Sequence, residues 1–484
     1  MSEMRQYVES FIRNRDLSLA KLADQLSYKS KTSIERIMDD NTRESSVIRF
    51  EQSMNQNFDL TEEEKSALHR AVQITLHGKP NYLAQCEMWN FIQGNNLSSS
   101  RDVQIVEAMT GRSAPLMQLY SDMSRLHITL LNCPYVSLYA SLQKLLLQDD
   151  TTVDHYIYVN TDNARTIYAM NVLMPIFYLR GYKGYSYIQN DVSAPQLPKG
   201  LMEADVMVCS YIDNCGEAHE DLIVFHEPDV GTRITSHETR EIFRHLLNLN
   251  QAQYSPIKRT YFECSAWDDY VRYSRDYAAL ERNRTIWKIK PDIGVDWIPT
   301  PILGAALSEG PIPHDEDFNA GYSELYEIYS RRVQNSFSKR KHAYTVLKKG
   351  AMQKFMLTGK TTDHFWAMRP YTWEERIAIL SLLLEQQRSN PYFHLFFLKT
   401  DHLIRDVEIA CFEDVGILML EANTDYNLEK GHSEVMLSHR EMMRLFKDFF
   451  MTELIRKHTY SENESQSILQ QLIEECKIHA LVIR

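Results

Sequence analysis

No apolar run in this sequence approaches the roughly 18 residues that a membrane-spanning helix needs, so no membrane span is expected. The N-terminal residues carry Glu3, Arg5 and Glu9 and lack the apolar core of a secretory leader, so none is expected. Seven cysteines, an odd number scattered from Cys86 to Cys476, do not make a disulfide framework. They point to a reducing, cytoplasmic setting. Catalytic signatures are also missing. His237-Glu238-Thr239-Arg240-Glu241 puts Glu241 where the zinc-protease pattern needs a second histidine. There is no G-x-G-x-x-G, no G-x-x-x-x-G-K-[ST] and no G-x-S-x-G. Cys209, Cys215, His219 and His226 lack the paired spacing of structural zinc sites. No catalytic residue, metal or cofactor is therefore expected, and the chain does not read as an enzyme. A net charge of −12 disfavours a protein that coats nucleic acid with its whole surface. It leaves room for a small DNA-reading domain on an acidic body.

What is present divides into regions. At about 100–200 residues per domain, 484 residues suggest three or so domains. Residues 1–78 read as all-helical. Met4, Val8, Phe11 and Ile12 form one apolar stripe, Leu19, Leu22, Ala23 and Leu26 a second, and Ile34, Ile37 and Met38 a third. Val47, Phe50 and Met54 suggest a fourth helix. Thr61 with Glu64 is a capping-box pattern that opens a fifth, and Gly78 and Pro80 end it. Residues 79–125 read as a helical connector with a role in dimerisation. From residue 126 to 484 the pattern is an α/β body. Runs such as HITLLNC, HYIYVN, YSYIQ, ADVMVCSYI and DLIVFHE are short and β-rich, with helical patterns at Val136–Leu147 and Ala164–Leu179. That alternation predicts a largely parallel sheet. Residues 237–390 read as mostly helical, 391–425 return to strands, and the tail from about Ser433 is helical. The strand-and-helix pattern thus occurs in sub-lobes 126–236 and 391–484, without residue-level repetition between them.

The stretch from Leu19 to Met38 carries the sharpest signal. Leu22-Ala23-Asp24-Gln25-Leu26 followed by Thr32-Ser33-Ile34-Glu35-Arg36-Ile37 resembles the lambda-repressor-like, xenobiotic-response-element type of helix-turn-helix. The resemblance covers residues 4–60. Ala23 is small where two helices must cross, Ile34 and Ile37 anchor the second helix, and Ser30 is placed to cap it. Two features depart from the family. Ser27 stands where it usually has Gly, and the turn is one residue longer. The resemblance implies a second helix in the major groove of double-stranded DNA. Lys29, Ser30, Lys31, Thr32, Ser33, Arg36 and Arg43 would then reach phosphates or base edges. Residues 1–49 hold nine Lys/Arg against eight Asp/Glu, so specific binding is expected to need a homodimer reading two half-sites. The same core geometry also serves helical bundles that make only protein contacts.

The body is similar to the non-catalytic phospholipase-D-like sensor domains that some sugar-sensing regulators couple to a DNA-binding head. Active members of that superfamily carry H-x-K-x-x-x-x-D twice. Here His77-Gly78-Lys79 comes nearest, with Ala84 in place of the Asp. Within the body, residues 201–229 hold eight acids and no base, and residues 331–360 hold nine bases and no acid. Such blocks serve as solvated faces, or they dock on one another or on an anion. Trp267, Tyr270, Tyr273 and Tyr277 recur at helical spacing and either line a pocket for a small-molecule effector or fill the core. The expected fold class is multidomain: an all-α helix-turn-helix head followed by a large α/β body with a helical middle segment. The expected function is ligand-responsive, sequence-specific transcription regulation. An enzyme with an accessory helical head and a protein-interaction scaffold are the competing readings.

Overall fold

A computed structural model describes residues 2–39, 43–93, 102–148, 150–159, 167–168, 179, 181–188, 204–234, 236–251, 255–262, 267–311, 316–361, 368–421, 432–438 and 440–482. The chain divides into two compact units. One takes Met1–Trp89 and the other takes Asn90–Thr161 and Thr166–Arg484.

The N-terminal unit is helical. Its helices are α1 (Glu3–Asn14), α2 (Leu19–Gln25), α3 (Lys31–Met38), α4 (Glu44–Asn57) and α5 (Glu62–His77), with most of α6 (Lys79–Gln93) following. The apolar stripes of α1 to α5 meet in one core that includes Met4, Val8, Phe11, Leu22, Ala23, Leu26, Ile34, Ile37, Phe50, Met54, Leu68 and Val72. Local signals set the boundaries. Thr61 and Glu64 make both halves of the expected capping box at the start of α5, and Gly78 closes that helix at φ 79°.

The larger unit is an α/β body built on two mixed sheets. The first sheet contains β1 (Gln104–Glu107), β2 (Ser113–Pro115), β3 (Ser124–Leu131), β4 (Thr152–Val159), β5 (Tyr182–Ile188), β6 (Val206–Ile212), β7 (Ala218–Glu227), β8 (Val230–Ile234) and β9 (Ser255–Pro256). Their order is β2-β1-β8-β7-β6-β3-β4-β5-β9. Helices α7 (Leu116–Tyr120), α8 (Val136–Leu146) and α9 (His237–Gln251) belong to this half. The second sheet contains β10 (Lys258–Phe262), β11 (Ile286–Lys290), β12 (Ala343–Leu347), β13 (Phe393–Phe397), β14 (Val407–Phe412), β15 (Gly416–Glu421) and β16 (His432–Leu437). Their order is β10-β16-β15-β14-β11-β12-β13.

The two sheets repeat one topology. In the first, β3, β4 and β5 are parallel, and β6, β7 and β8 continue antiparallel on the other side of β3. In the second, β11, β12 and β13 are parallel, and β14, β15 and β16 continue antiparallel on the other side of β11. An earlier strand then pairs with the last strand of each half: β1 with β8 in parallel, β10 with β16 antiparallel. Helices α10 (Trp267–Glu281), α11 (Thr300–Ser308), α12 (Glu316–Ser336), α13 (Lys349–Thr358), α14 (Trp373–Ser389), α15 (Arg440–Phe449) and α16 (Glu462–Val482) complete the second half.

Several expectations are corrected. The first sheet is mixed, not largely parallel, because β6, β7 and β8 are joined by short turns, and parallel neighbours need long crossovers. Among its described residues the 79–125 connector is helical only at Lys79–Gln93 and Leu116–Tyr120, since β1 and β2 extend the first sheet. Gly231 lets β1 approach there, because a Cβ on it would lie 2.6 Å from Ile223 and 3.1 Å from Ile105. The middle, 237–390, is mostly helical as expected, and it also contains β10, β11 and β12, the start of the second sheet. The tail opens with β16 before its helices. The helix expected at Ala164–Leu179 lies outside the described residues except at 167–168 and 179.

Candidate nucleic-acid interface and polar interior

The α2–α3 connection is built by backbone geometry. Ser27 adopts φ 58°, the left-handed conformation that favours Gly. Its N–H donates to the Asp24 carbonyl at 3.0 Å, and the Tyr28 N–H donates to the Ala23 carbonyl at 2.8 Å. These two bonds form a Schellman closure of α2, and Tyr28 packs against the core as that motif requires. The end of α1 repeats the device at Asp16 (φ 50°), where Leu17 N–H reaches the Ile12 carbonyl at 3.0 Å. Ser27 thus holds the left-handed position that Gly usually fills at a helix C-terminus.

Ile34, Ile37 and Met38 bury one side of α3. Lys29, Ser30, Lys31, Thr32 and Arg36 are exposed, Ser33 is half-buried, and Arg43 is exposed at the N-cap position of α4. Ser30 occupies the N-cap position of α3 with extended backbone, but its hydroxyl makes no capping bond. That oxygen stays available at the helix N-terminus, where backbone N–H groups favour anions. Lys31 lies 3.9 Å from Glu35, and among the described residues no ion pair engages Lys29, Arg36 or Arg43. The far end of α3 is tied to α1. Ser2 donates to the Met38 carbonyl, and Arg5 pairs with Asp39. The bond to Asp39 raises the Arg5 guanidinium above its ordinary range. Arg15 clamps the α1–α5 side through Glu64 at 2.8 Å and the Asp59 carbonyl at 2.9 Å.

In the body, Tyr273 and Tyr277 are buried in the core of the second half. The side chains of Trp267 and Tyr270 lie outside the described residues. Tyr277 belongs to a buried polar assembly that the sequence reading missed. Lys288, on β11, donates to Glu281 at 2.8 Å and Asp296 at 3.0 Å. Lys290, two residues on and on the same face, reaches Asp296 at 3.1 Å and lies 3.7 Å from Glu408. Arg332 donates to both oxygens of Glu281, and Ser336 donates to Asp296 at 2.9 Å. Tyr277 donates to Glu408 at 2.6 Å while the Arg332 guanidinium lies over its ring. Three cations thus meet three carboxylates in a low-dielectric interior. Burial opposes ionisation of Asp296, but Lys288, Lys290 and Arg332 outweigh it and hold its carboxyl well below the usual range. Burial and then Glu408 push the Tyr277 hydroxyl up.

Several members of the two charge blocks are matched locally. In the basic block, Arg332 is internal, Arg331 pairs with Glu327, Lys341 with Glu413 and Lys348 with Asp406. In the acidic block, Asp221 binds Arg233 at 2.8 Å and accepts from Tyr120 at 2.9 Å and Tyr211 at 3.1 Å. Glu220 pairs with Arg244. None of these pairs joins one block to the other.

His155 sits on β4 in the interior of the first half. One ring nitrogen lies 2.9 Å from the Tyr182 hydroxyl and the other faces the Asn132 carbonyl at 2.5 Å. Burial depresses its pKa to about 4, against the opposing pull of that carbonyl.

No family model matches the chain, and no curated protein matches it. Among solved structures, phosphatidylserine synthase from Haemophilus influenzae Rd KW20 aligns with 74% of this chain and 89% of its own, at 11% identity and a TM-score of 0.26. A likeness of that size carries no argument about fold or chemistry. No helix among the described residues is long and apolar enough to cross a membrane.

Proposed function

We propose that the chain is a sequence-specific, DNA-binding transcription regulator of the cytoplasm. A helix-turn-helix head, formed by α2 and α3, reads double-stranded DNA as one half of a homodimer. The observation that carries this reading is the division of α3. One side is locked into the core by Ile34, Ile37 and Met38, and the other presents Lys31, Thr32 and Arg36, with Lys29 exposed in the turn before it. The Schellman turn at Ser27 supports it, because it fixes the angle between the two helices without a glycine. Lys31 and Arg36 supply phosphate or base-edge contacts, Ser30 and Thr32 shorter hydrogen bonds, and Arg43 a flanking phosphate contact. The α/β body drives oligomerisation and responds to a small-molecule effector that binds the two arrangements of the heads differently.

The test is selection of the best duplex from a random library, followed by fluorescence anisotropy of the full chain at increasing salt. Affinity should fall steeply with salt. Lys31→Ala with Arg36→Ala should weaken binding by about 10- to 100-fold, within the usual energy of one or two specific contacts, and leave the melting temperature unchanged. Equal affinity of wild type and double variant for the selected duplex would remove α3 as the reading helix.

A further inference from the structure

At the start of β12 and β13 four ring side chains form a square on one face of the second sheet. His342 immediately precedes β12, and Tyr344 lies two residues on. Tyr392 and His394 hold the matching places on β13, since Ala343 pairs with Phe393 and Tyr344 with His394 in parallel register. The rings of Tyr344 and His394 stack at 4.5 Å, His342 stacks on Tyr344 at 5.5 Å, and Tyr392 lies 4.9 Å from His342. All four are half-buried, so the square is packed and still reaches solvent.

Within it, His342 Nδ1 faces His394 Nε2 at 3.0 Å. The other nitrogen of His394, Nδ1, lies 2.6 Å from the Glu462 carboxylate at the start of α16. The carboxylate there accepts a hydrogen bond from Nδ1–H, which keeps the proton on Nδ1 and leaves Nε2 as a lone pair aimed at His342. This is how a carboxylate behind a metal-bound imidazole fixes its tautomer and raises its basicity. Only the proton between the two rings then stands where an ion would sit. Two nitrogens bound to one tetrahedral ion at roughly 2.0–2.1 Å lie roughly 3.3 Å apart, so the pair needs to open by only a few tenths of an ångström. The sequence hid this arrangement because the two histidines come from different strands and match no ligand spacing.

We infer that His342 and His394 form a binding site for a late first-row divalent cation of the zinc or nickel type. Imidazole is the ligand that such ions prefer over magnesium or calcium. Glu462 orients His394 from behind, and water completes the coordination on the open side. Binding displaces the proton shared by the two rings, because imidazole binds a metal in its neutral form. Neighbouring charges set the local field. Lys341 pairs with Glu413 at 3.3 Å beside the site, and Lys447 of α15 lies over Trp287, whose ring stacks on Tyr344.

The experiment is titration of the full-length protein with Zn2+ alone, and separately Ni2+ alone, by isothermal calorimetry and by proton NMR of the imidazole resonances. The expected result is one equivalent that shifts the resonances of His342 and His394. Affinity should drop at least tenfold in both His342→Ala and His394→Ala, and about 10- to 100-fold in Glu462→Gln, the range for loss of an outer-shell partner. Because a ring in the square can also support packing, the NMR shifts in the unaltered protein provide a reading that needs no variant. His219→Ala is the control. Asp213, Glu217 and His219 form an exposed cluster of possible ligands on the β6–β7 turn. Undiminished affinity in His342→Ala or His394→Ala, uptake abolished by His219→Ala, or no uptake of either ion would overturn the assignment.

Discussion

The two sheets of the body share a strand order and differ in what they bury. Beneath β11, the first of the three parallel strands in its half, three cations and three carboxylates interlock around Lys288, Lys290 and Asp296. The first sheet has no comparable assembly among its described residues. Its polar interior is a neutral histidine, His155, and a smaller group in which Asp221 takes Arg233, Tyr120 and Tyr211. One topology therefore tolerates two kinds of core. The difference teaches that strand order here is set by connection length and pairing, while the interior polar groups set how each half responds to mutation and to pH.

The sharpest way to break the comparison is to remove one member of each assembly and read urea denaturation. Lys288→Met leaves Glu281 and Asp296 short of a partner in the interior, and breaking a buried pair in this way costs about 3–5 kcal/mol. Asp221→Asn should cost less, about 1–3 kcal/mol, because Arg233 also lies 3.8 Å from Glu107 and retains that partner. Equal losses in the two variants would contradict the contrast.

Acid separates the halves next. His155 has a folded pKa of about 4 against an ordinary 6.5, so the unfolded chain binds its proton first. Its contribution is fully present above about pH 6.5 and is lost as pH falls through about 4. The difference amounts to about 3 kcal/mol. Asp296 behaves otherwise. Its carboxyl is held below the ordinary 3.8, so its contribution persists until pH drops beneath that value. Hydrogen exchange at pH 4.5 should show β3 to β5 losing protection while β11 to β13 keep theirs, and His155→Gln should flatten the pH dependence of the first half. Uniform loss across both sheets would refute it.

The smallest effect is in the head. Ser27→Gly relieves a left-handed residue that costs roughly 1–2 kcal/mol in an L-amino acid, less the entropy that Gly loses on folding. A stabilisation of about 0.5–1 kcal/mol is expected, read as a raised midpoint of the helical unit, with DNA affinity unchanged. A loss of stability would show that the Ser27 side chain is needed there.

Legibility in the sequence followed the chemistry of burial. The head's five helices were readable because each buries a stripe of plain hydrocarbon residues and ends on a local signal, such as Thr61 with Glu64 or Gly78. The β-rich runs of the first sheet and of β13 to β15 were readable for the same reason. β11 was not, because Ile286-Trp-Lys-Ile-Lys290 places lysines at two core-facing positions, and only the distant Glu281, Asp296, Arg332 and Glu408 make them compatible with an interior. β1 was hidden by its length of four residues and by a partner, β8, more than a hundred residues away. At the proposed DNA interface the residue types were readable. The exposure of Lys31 and Arg36 was implied by the burial of Ile34 and Ile37, and what Ser27 does in the turn needed the backbone.

The central claim is that α3 reads DNA. Its most direct test is the anisotropy comparison of wild type with the Lys31→Ala, Arg36→Ala double variant on a selected duplex at two salt concentrations. The account predicts salt-sensitive binding that weakens by about 10- to 100-fold in the double variant with the fold intact. Binding that is indifferent to both changes, or no retention of any duplex at low salt, would contradict it.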